Sequence, residues 1–238
     1  MAAMLRLAII LAFVVLSLAG PSRAQANGPD LRGIGLIELG ARGGCTGTLI
    51  EPDLVLTAAH CLVSPAKNKK LKATDFYFHP TTITGHPGEG FRGQVMAVHP
   101  VYLLPGLAYD RRIPRDLGLL RLERPVPASL ATPIPPGGAD LFDDRGFVMA
   151  FRGPESVARQ RICQPFALQE GLLTLGCEVM SGESGSPFFV VRDGAPAVVS
   201  VVSSRSNAGR QPLALTAELA SGLPGLLEAF RSAGDSVE

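Results

Sequence analysis

The stretch CTGTLIEPDLVLTAAHC (45–61) holds two short apolar runs, TGTLI (46–50) and LVLTAA (54–59), parted by Glu-Pro-Asp and closed at each end by a cysteine. Short runs rich in Leu, Val and Thr between turn residues read as strands rather than helical turns. The same texture recurs in IGLIEL (34–39), GQVMAVH (93–99) and LGLLRL (117–122). It continues in GFVMAF (146–151), ICQPFAL (162–168), LLTLGC (172–177), SPFFVV (186–191) and AVVSVVSS (197–204). Runs of about five to eight residues with Gly, Pro and Asp between them predict an all-β sandwich or barrel. A helical pattern emerges only in LPGLLEAFRSAG (223–234), where Leu226, Leu227 and Phe230 share one side.

The segment ERPVPASLATPIPPGG (123–138) is dense in proline. Proline cannot donate to a strand ladder, so a surface connector is expected over 124–138. It divides the chain into β lobes at about 31–123 and about 139–222, with a short terminal helix at about 223–234. At the other end, Arg6 precedes an apolar run from Leu7 to Ala19, and Ala24-Gln25-Ala26 supplies a small-residue cleavage site. That is the plan of a secretory signal peptide over 1–26. The run is too short for a membrane anchor, which needs about 20 apolar residues. The expected mature chain is therefore 27–238, secreted or periplasmic, without a stable membrane anchor. A formal net charge of +1 excludes nucleic acid and other partners held by bulk electrostatics.

Cys45, Cys61, Cys163 and Cys177 are the four cysteines. An even count in an exported chain points to two disulfides. Zinc is the competing use, but no C-x-x-C pair is present. The cysteines allow three pairings. Pairing neighbours closes short loops, each worth about 3 kcal/mol in the chain-entropy account.

LVLTAAHCL (54–62) mounts His60 at the end of a buried-looking strand beside a cysteine. That is a rigid seat for a general base, although an isolated histidine is more often simply packed. In IPRDLGLLRLERP (113–125), Asp116 enters an apolar run, where a carboxylate is costly unless it is hydrogen-bonded. Orienting a catalytic imidazole would satisfy it, as would capping a turn. Asp110 is a rival acid, but Arg111 and Arg112 follow it, which suggests a solvated loop. In SGESGSP (181–187), Ser184 lies between Gly182 and Gly185. The glycines let backbone N–H groups converge, and those of Gly182 and Ser184 could form an oxyanion hole. The chain order is His, Asp, Ser. A G-x-S-x-G elbow does not fit, because the second glycine falls one place early and alternating helices are missing.

These residues resemble the chymotrypsin/trypsin family of serine proteases. The likeness rests on CTGTLIEPDLVLTAAHC (45–61), VHPVY (98–102), DLGLLRL (116–122) and SGESGSP (181–187), in that order. With LTLGCE (173–178) the pattern is closest to small bacterial trypsin-like peptidases. The resemblance runs from about Ile34 to about Ser206. It implies two six-stranded antiparallel β-barrels with the active site in the cleft between them. His60, Asp116 and Ser184 become base, orienting acid and nucleophile, and the pairs become Cys45–Cys61 and Cys163–Cys177. His99 matches a structural position, whereas His79 and His86 match none and are expected in loops. Acyl transfer on a polypeptide needs no metal or other cofactor. The implied protein is a monomer whose expected partners are polypeptide substrates and a protein inhibitor.

By the same resemblance Glu178 forms the floor of the primary specificity pocket, with Ser203 and Arg205 nearby. A carboxylate there favours Arg or Lys in the substrate. Arg205 could instead neutralise Glu178 or bind an acidic side chain, so a Glu-preferring enzyme is the alternative. Glu183 stands where digestive members carry an Asp paired to a newly cut N-terminus. The short span from Ile34 to Cys45 does not match their activation segment, and a cut after Arg32 would expose Gly33. Signal removal alone is therefore expected to give a competent enzyme. A silent binding protein with the same fold is the further alternative.

Overall fold

A computed structural model of the chain describes residues 28–39, 43–138, 140, 144–207 and 211–234. The expected signal segment 1–26 lies outside the described residues. The first lobe comprises β1 (Ile34–Glu38), β2 (Gly44–Glu51), β3 (Leu54–Thr57), β4 (Val63–Ser64), β5 (Lys69–Lys70), β6 (Tyr77–Pro80), β7 (Phe91–Val98) and β8 (Gly118–Leu122). Six of these close an antiparallel barrel in the order β1-β2-β3-β8-β7-β6, with β4 and β5 as a small hairpin outside it. The second lobe comprises β9 (Gly146–Ala150), β10 (Arg159–Cys163), β11 (Pro165–Gln169), β12 (Leu172–Leu175), β13 (Pro187–Arg192), β14 (Ala195–Ser206) and β15 (Leu213–Glu218). They form a seven-stranded antiparallel half-barrel, ordered β10-β9-β13-β14-β15-β12-β11. The two-lobed all-β class stands, although the second sheet has seven strands and is open between β10 and β11.

Three differences have plain causes. ICQPFAL (162–168) is two strands rather than one. Cys163 ends β10 against Gly146, and the chain then turns so that β11 pairs with β12. β6 carries no strand signal in the sequence, because YFHP ends in proline and shows no apolar alternation. It nonetheless closes the barrel by pairing β1 and β7, and it puts His79 in a strand rather than a loop. There His79 Nδ1 lies 3.0 Å from the Gly88 carbonyl oxygen and Nε2 lies 3.1 Å from Glu38. His86 is in an exposed loop, as expected. The terminal helix starts at Leu219 and runs to Gly234, four residues earlier than the apolar pattern suggests. Glu218 accounts for the early start, because its carboxylate accepts from the N–H groups of Ala220 and Ser221 and caps the first turn.

One buried cluster fills the first barrel, around Val55, Phe76, Phe78 and Phe91. Another lies in the second sheet, around Phe188, Val190 and Leu173. A third joins the lobes, packing Ile34, Leu54 and Leu56 with Phe189, Val198 and Val201, and with Leu226 and Phe230 of the helix. The proline-rich connector adds to this seam. Ile134 N–H donates to Leu49 O, and Val198 N–H donates to Pro135 O. The lobes thus meet across dry, close-packed surface, which fixes their relative placement. The disulfides are Cys45–Cys61 and Cys163–Cys177.

Candidate active site

β3 ends at Thr57, and the chain tightens into a single 3-10 turn, Ala59–Cys61. Ala59 is fully buried, and Cys61 is bonded to Cys45 of β2. His60 between them is held on both sides, with its ring about a third exposed (34%) toward the cleft. Asp116 closes the turn that precedes β8 and is 2% exposed. Its carboxylate accepts three hydrogen bonds. His60 N–H donates to Oδ1 at 2.8 Å, His60 Nδ1 to Oδ2 at 2.6 Å, and Ser203 Oγ to Oδ2 at 2.5 Å. A carboxylate so satisfied stays an acceptor and fixes the tautomer with Nε2 free to take a proton. Burial alone would lower the His60 pKa, but the charge and hydrogen bond of Asp116 outweigh it and raise the value above 6.5.

The nucleophile loop is anchored across both lobes. Thr46 N–H donates to Ser184 O at 2.8 Å, and Gly185 N–H donates to Val202 O at 2.9 Å. Gly185 has φ +79°, and any Cβ there would lie 2.2 Å from Thr46 O, so only glycine fits. Gly182 has φ +90°. Among the described residues, the N–H groups of Gly182 and Ser184 meet no backbone acceptor, whereas that of Glu183 between them donates to Met180 O. Ser184, Gly182 and His60 line one cleft. Two unspent donors flanking a serine beside an oriented imidazole can stabilise a developing oxyanion.

Glu183 is fully buried, yet its charge is compensated on every side. Arg161 of β10 forms a two-pronged pair at 2.7 Å on each oxygen, Met180 N–H donates at 2.9 Å, and Arg152 approaches to 3.4 Å. A bidentate guanidinium–carboxylate pair with a further donor is the arrangement that makes a buried carboxylate tolerable. No local pattern in RQRIC (159–163) marks Arg161 as part of the site; the one cue is a glutamate between Gly182 and Ser184 that needs a partner.

The expected specificity residues divide. Ser203 is buried, and its hydroxyl is spent on Asp116 rather than turned toward a substrate. Glu178 is exposed and makes no ion pair among the described residues. Its carbonyl accepts from Arg161. Arg205 is exposed near the end of β14, opposite Ala214, and does not neutralise Glu178 among the described ion pairs. Asp110 lies exposed on a helical turn, Tyr109–Arg112, and the acid that holds the imidazole is Asp116. Cys45, His60 and Cys61 lie close enough to suggest a metal site, but both sulfurs are committed to a disulfide. A thioether-like disulfide sulfur is a poor ligand.

A family model for trypsin-like peptidase domains matches residues 45–201, from Cys45 through the base, acid and serine into β14. The chain belongs to that family, and its class of substrate is the polypeptide. Among the described residues no helix is long and apolar enough to cross a membrane.

Proposed function

We propose that this peptidase is an exported serine endopeptidase acting through an acyl-enzyme. Ser184 Oγ attacks the peptide carbonyl while His60 Nε2 takes its proton, and Asp116 holds the imidazole. The N–H groups of Gly182 and Ser184 receive the oxyanion. His60 then protonates the departing amine, and a water molecule, activated by the same imidazole, releases the acyl half. The observation that carries this reading is the 2.6 Å His60–Asp116 contact, made beside a cleft that His60 shares with Ser184 and Gly182. Export is supported by the two disulfides and by the signal-like start of the sequence.

The enzyme is competent without an activating cut. Glu183, which in digestive relatives' position would await a new N-terminus, already has Arg161, Arg152 and Met180 N–H. Arg32, the nearest conceivable cut site, is tied to Asp30 at 2.8 Å, and its carbonyl accepts from Thr81 N–H in the barrel wall. Glu178, without an ion-pair partner among the described residues, favours Arg or Lys at the cleaved bond. Arg205, exposed and without an ion pair among the described residues, supports a Glu preference as the second reading. The test is cleavage of a random peptide library by purified 27–238, with Ser184→Ala as control. Cuts clustered after Arg and Lys support the first preference, and cuts after Glu support the second. Equal cleavage by Ser184→Ala removes the proposed chemistry.

A further inference from the structure

Thr46 is fully buried in β2, and the mechanism above leaves its side chain unused. Its polar groups reach three different parts of the site. The N–H donates to Ser184 O at 2.8 Å. The carbonyl accepts from Thr57 Oγ1 at 2.8 Å, on the strand that leads to His60. Strand β9 ends at Ala150, and the next N–H, that of Phe151, donates to Thr46 Oγ1 at 2.9 Å. This last bond ties the first lobe to the second. Phe151 is itself fully buried, so its amide would be costly to leave without an acceptor.

The residue after Phe151 carries the effect to the reacting groups. A Cβ placed on Gly182 would lie 3.5 Å from both Cα and O of Arg152, so the Arg152 backbone runs directly beside Gly182. Gly182 has φ +90° and no side chain of its own to restrain it, so its neighbours set where its N–H points. The Thr46 hydroxyl holds Phe151, Phe151 carries Arg152, and Arg152 supports Gly182. The Thr46 N–H meanwhile holds the carbonyl of Ser184. One buried residue therefore aligns both oxyanion donors, whose placement within about 1 Å governs the rate.

Building on the acyl-enzyme reading, we infer that Thr46 is a positioning residue, whose hydroxyl holds the oxyanion donor Gly182 in place through the Phe151–Arg152 backbone.

The test compares Thr46→Val, which removes the acceptor at nearly constant shape, with Thr46→Ser, which keeps it. p-Nitrophenyl acetate is the probe. Ser184 Oγ attacks its carbonyl, His60 takes the serine proton, and the ester bond breaks to release p-nitrophenolate as a burst that Ser184→Ala lacks. Burst rates over a range of ester concentrations separate the acylation step from ester affinity, and the burst amplitude counts folded sites. Phenylboronic acid, whose tetrahedral adduct on Ser184 sets an oxygen at the two N–H groups, is measured as an inhibitor. Thr46→Val is expected to slow acylation about 10- to 100-fold and to weaken the boronic acid by a similar factor, with ester affinity within about twofold. Thr46→Ser is expected to stay within about threefold of the parent. The acid limb of the pH–rate profile is expected not to move, because the hold of Asp116 on His60 is untouched. A Thr46→Val burst at the parent rate, or a loss that Thr46→Ser shares, overturns this inference alone. If Thr46→Val does not fold, Thr46→Ala takes its place, and failure of both to fold makes Thr46 a residue of folding and overturns the inference. Absence of a burst from the parent protein overturns the acyl-enzyme reading and this inference with it.

Discussion

Burial pushes the pKa of both His60 and His99 down, but the net shifts are opposite, because of the two only His60 has a carboxylate partner among the described residues. Asp116 raises the His60 pKa above 6.5, so the neutral base is lost as pH falls through that raised value. The rate kcat/KM is expected to fall on the acid side with an apparent pKa above 6.5, which a pH–rate profile measures directly. Asp116→Asn would remove both the charge and the tautomer control and lower kcat by about 10⁴-fold. For stability, a raised folded pKa contributes fully below the unfolded value and is lost as pH rises through the folded one. His99 is the reverse case. It is 7% exposed, caps the turn at Pro100–Leu103 by accepting from Val101 N–H, and packs against Gly225 of the helix. Burial first, and Arg115 second, lower its pKa to about 4. Its stabilisation is therefore present above pH 6.5 and lost as pH falls toward 4. The loss is on the order of 2–3 kcal/mol. His99→Gln is expected to flatten the urea midpoint between pH 6.5 and 4. An unchanged slope would assign the loss to other groups.

At the scale of elements, strand β10 and the nucleophile loop act as one unit through Arg161 and Glu183. Arg161→Ala removes the bidentate partner of a fully buried carboxylate and leaves Arg152, at 3.4 Å, as its remaining cation among the described residues, a cost on the order of 3–5 kcal/mol. The expected outcome is a fall in kcat with little change in KM, because the oxyanion N–H groups are misplaced rather than the substrate. Arg161→Lys should recover part of the rate. A rise in KM alone would mean that Arg161 serves substrate binding. This unit also marks how far sequence reasoning reaches. His60, Asp116 and Ser184 were legible because each stands in a local pattern that chemistry explains: a strand end beside a cysteine, an acid entering an apolar run, a serine between glycines. Arg161 was not, because its partner lies 22 residues away in the chain and only the fold brings them together. The β10–β11 break was hidden for a similar reason, since Gln164 and Pro165 sit within an otherwise continuous β-like run. The resemblance implies Ser203 near the specificity pocket, yet its hydroxyl serves Asp116, an arrangement that exists only once the fold brings β14 to the turn before β8.

For the whole molecule, the continuous core between the lobes carries the cleft. Phe189 is fully buried there, with its ring 5.7 Å from that of Phe147, and it packs in the cluster that includes Ile34 and Leu56 of the first barrel. Phe189→Ala is expected to cost about 3–5 kcal/mol and to lower Tm in a single transition, because the lobes share this core. Two separate calorimetric transitions would show that the lobes unfold independently. The helix contributes to the same cooperativity, since Phe230 packs in the joint core with the Arg121 guanidinium 4.9 Å from its ring.

The most direct test of the central claim is fluorophosphonate labelling of purified, disulfide-bonded 27–238 that has undergone no further cut, with the adduct mapped by mass spectrometry. A single adduct on Ser184, absent in His60→Ala and intact without cleavage near Arg32, is the expected result. An uncut, folded chain that takes no label, or takes it equally without His60, would contradict an assembled and self-sufficient His60–Asp116–Ser184 site.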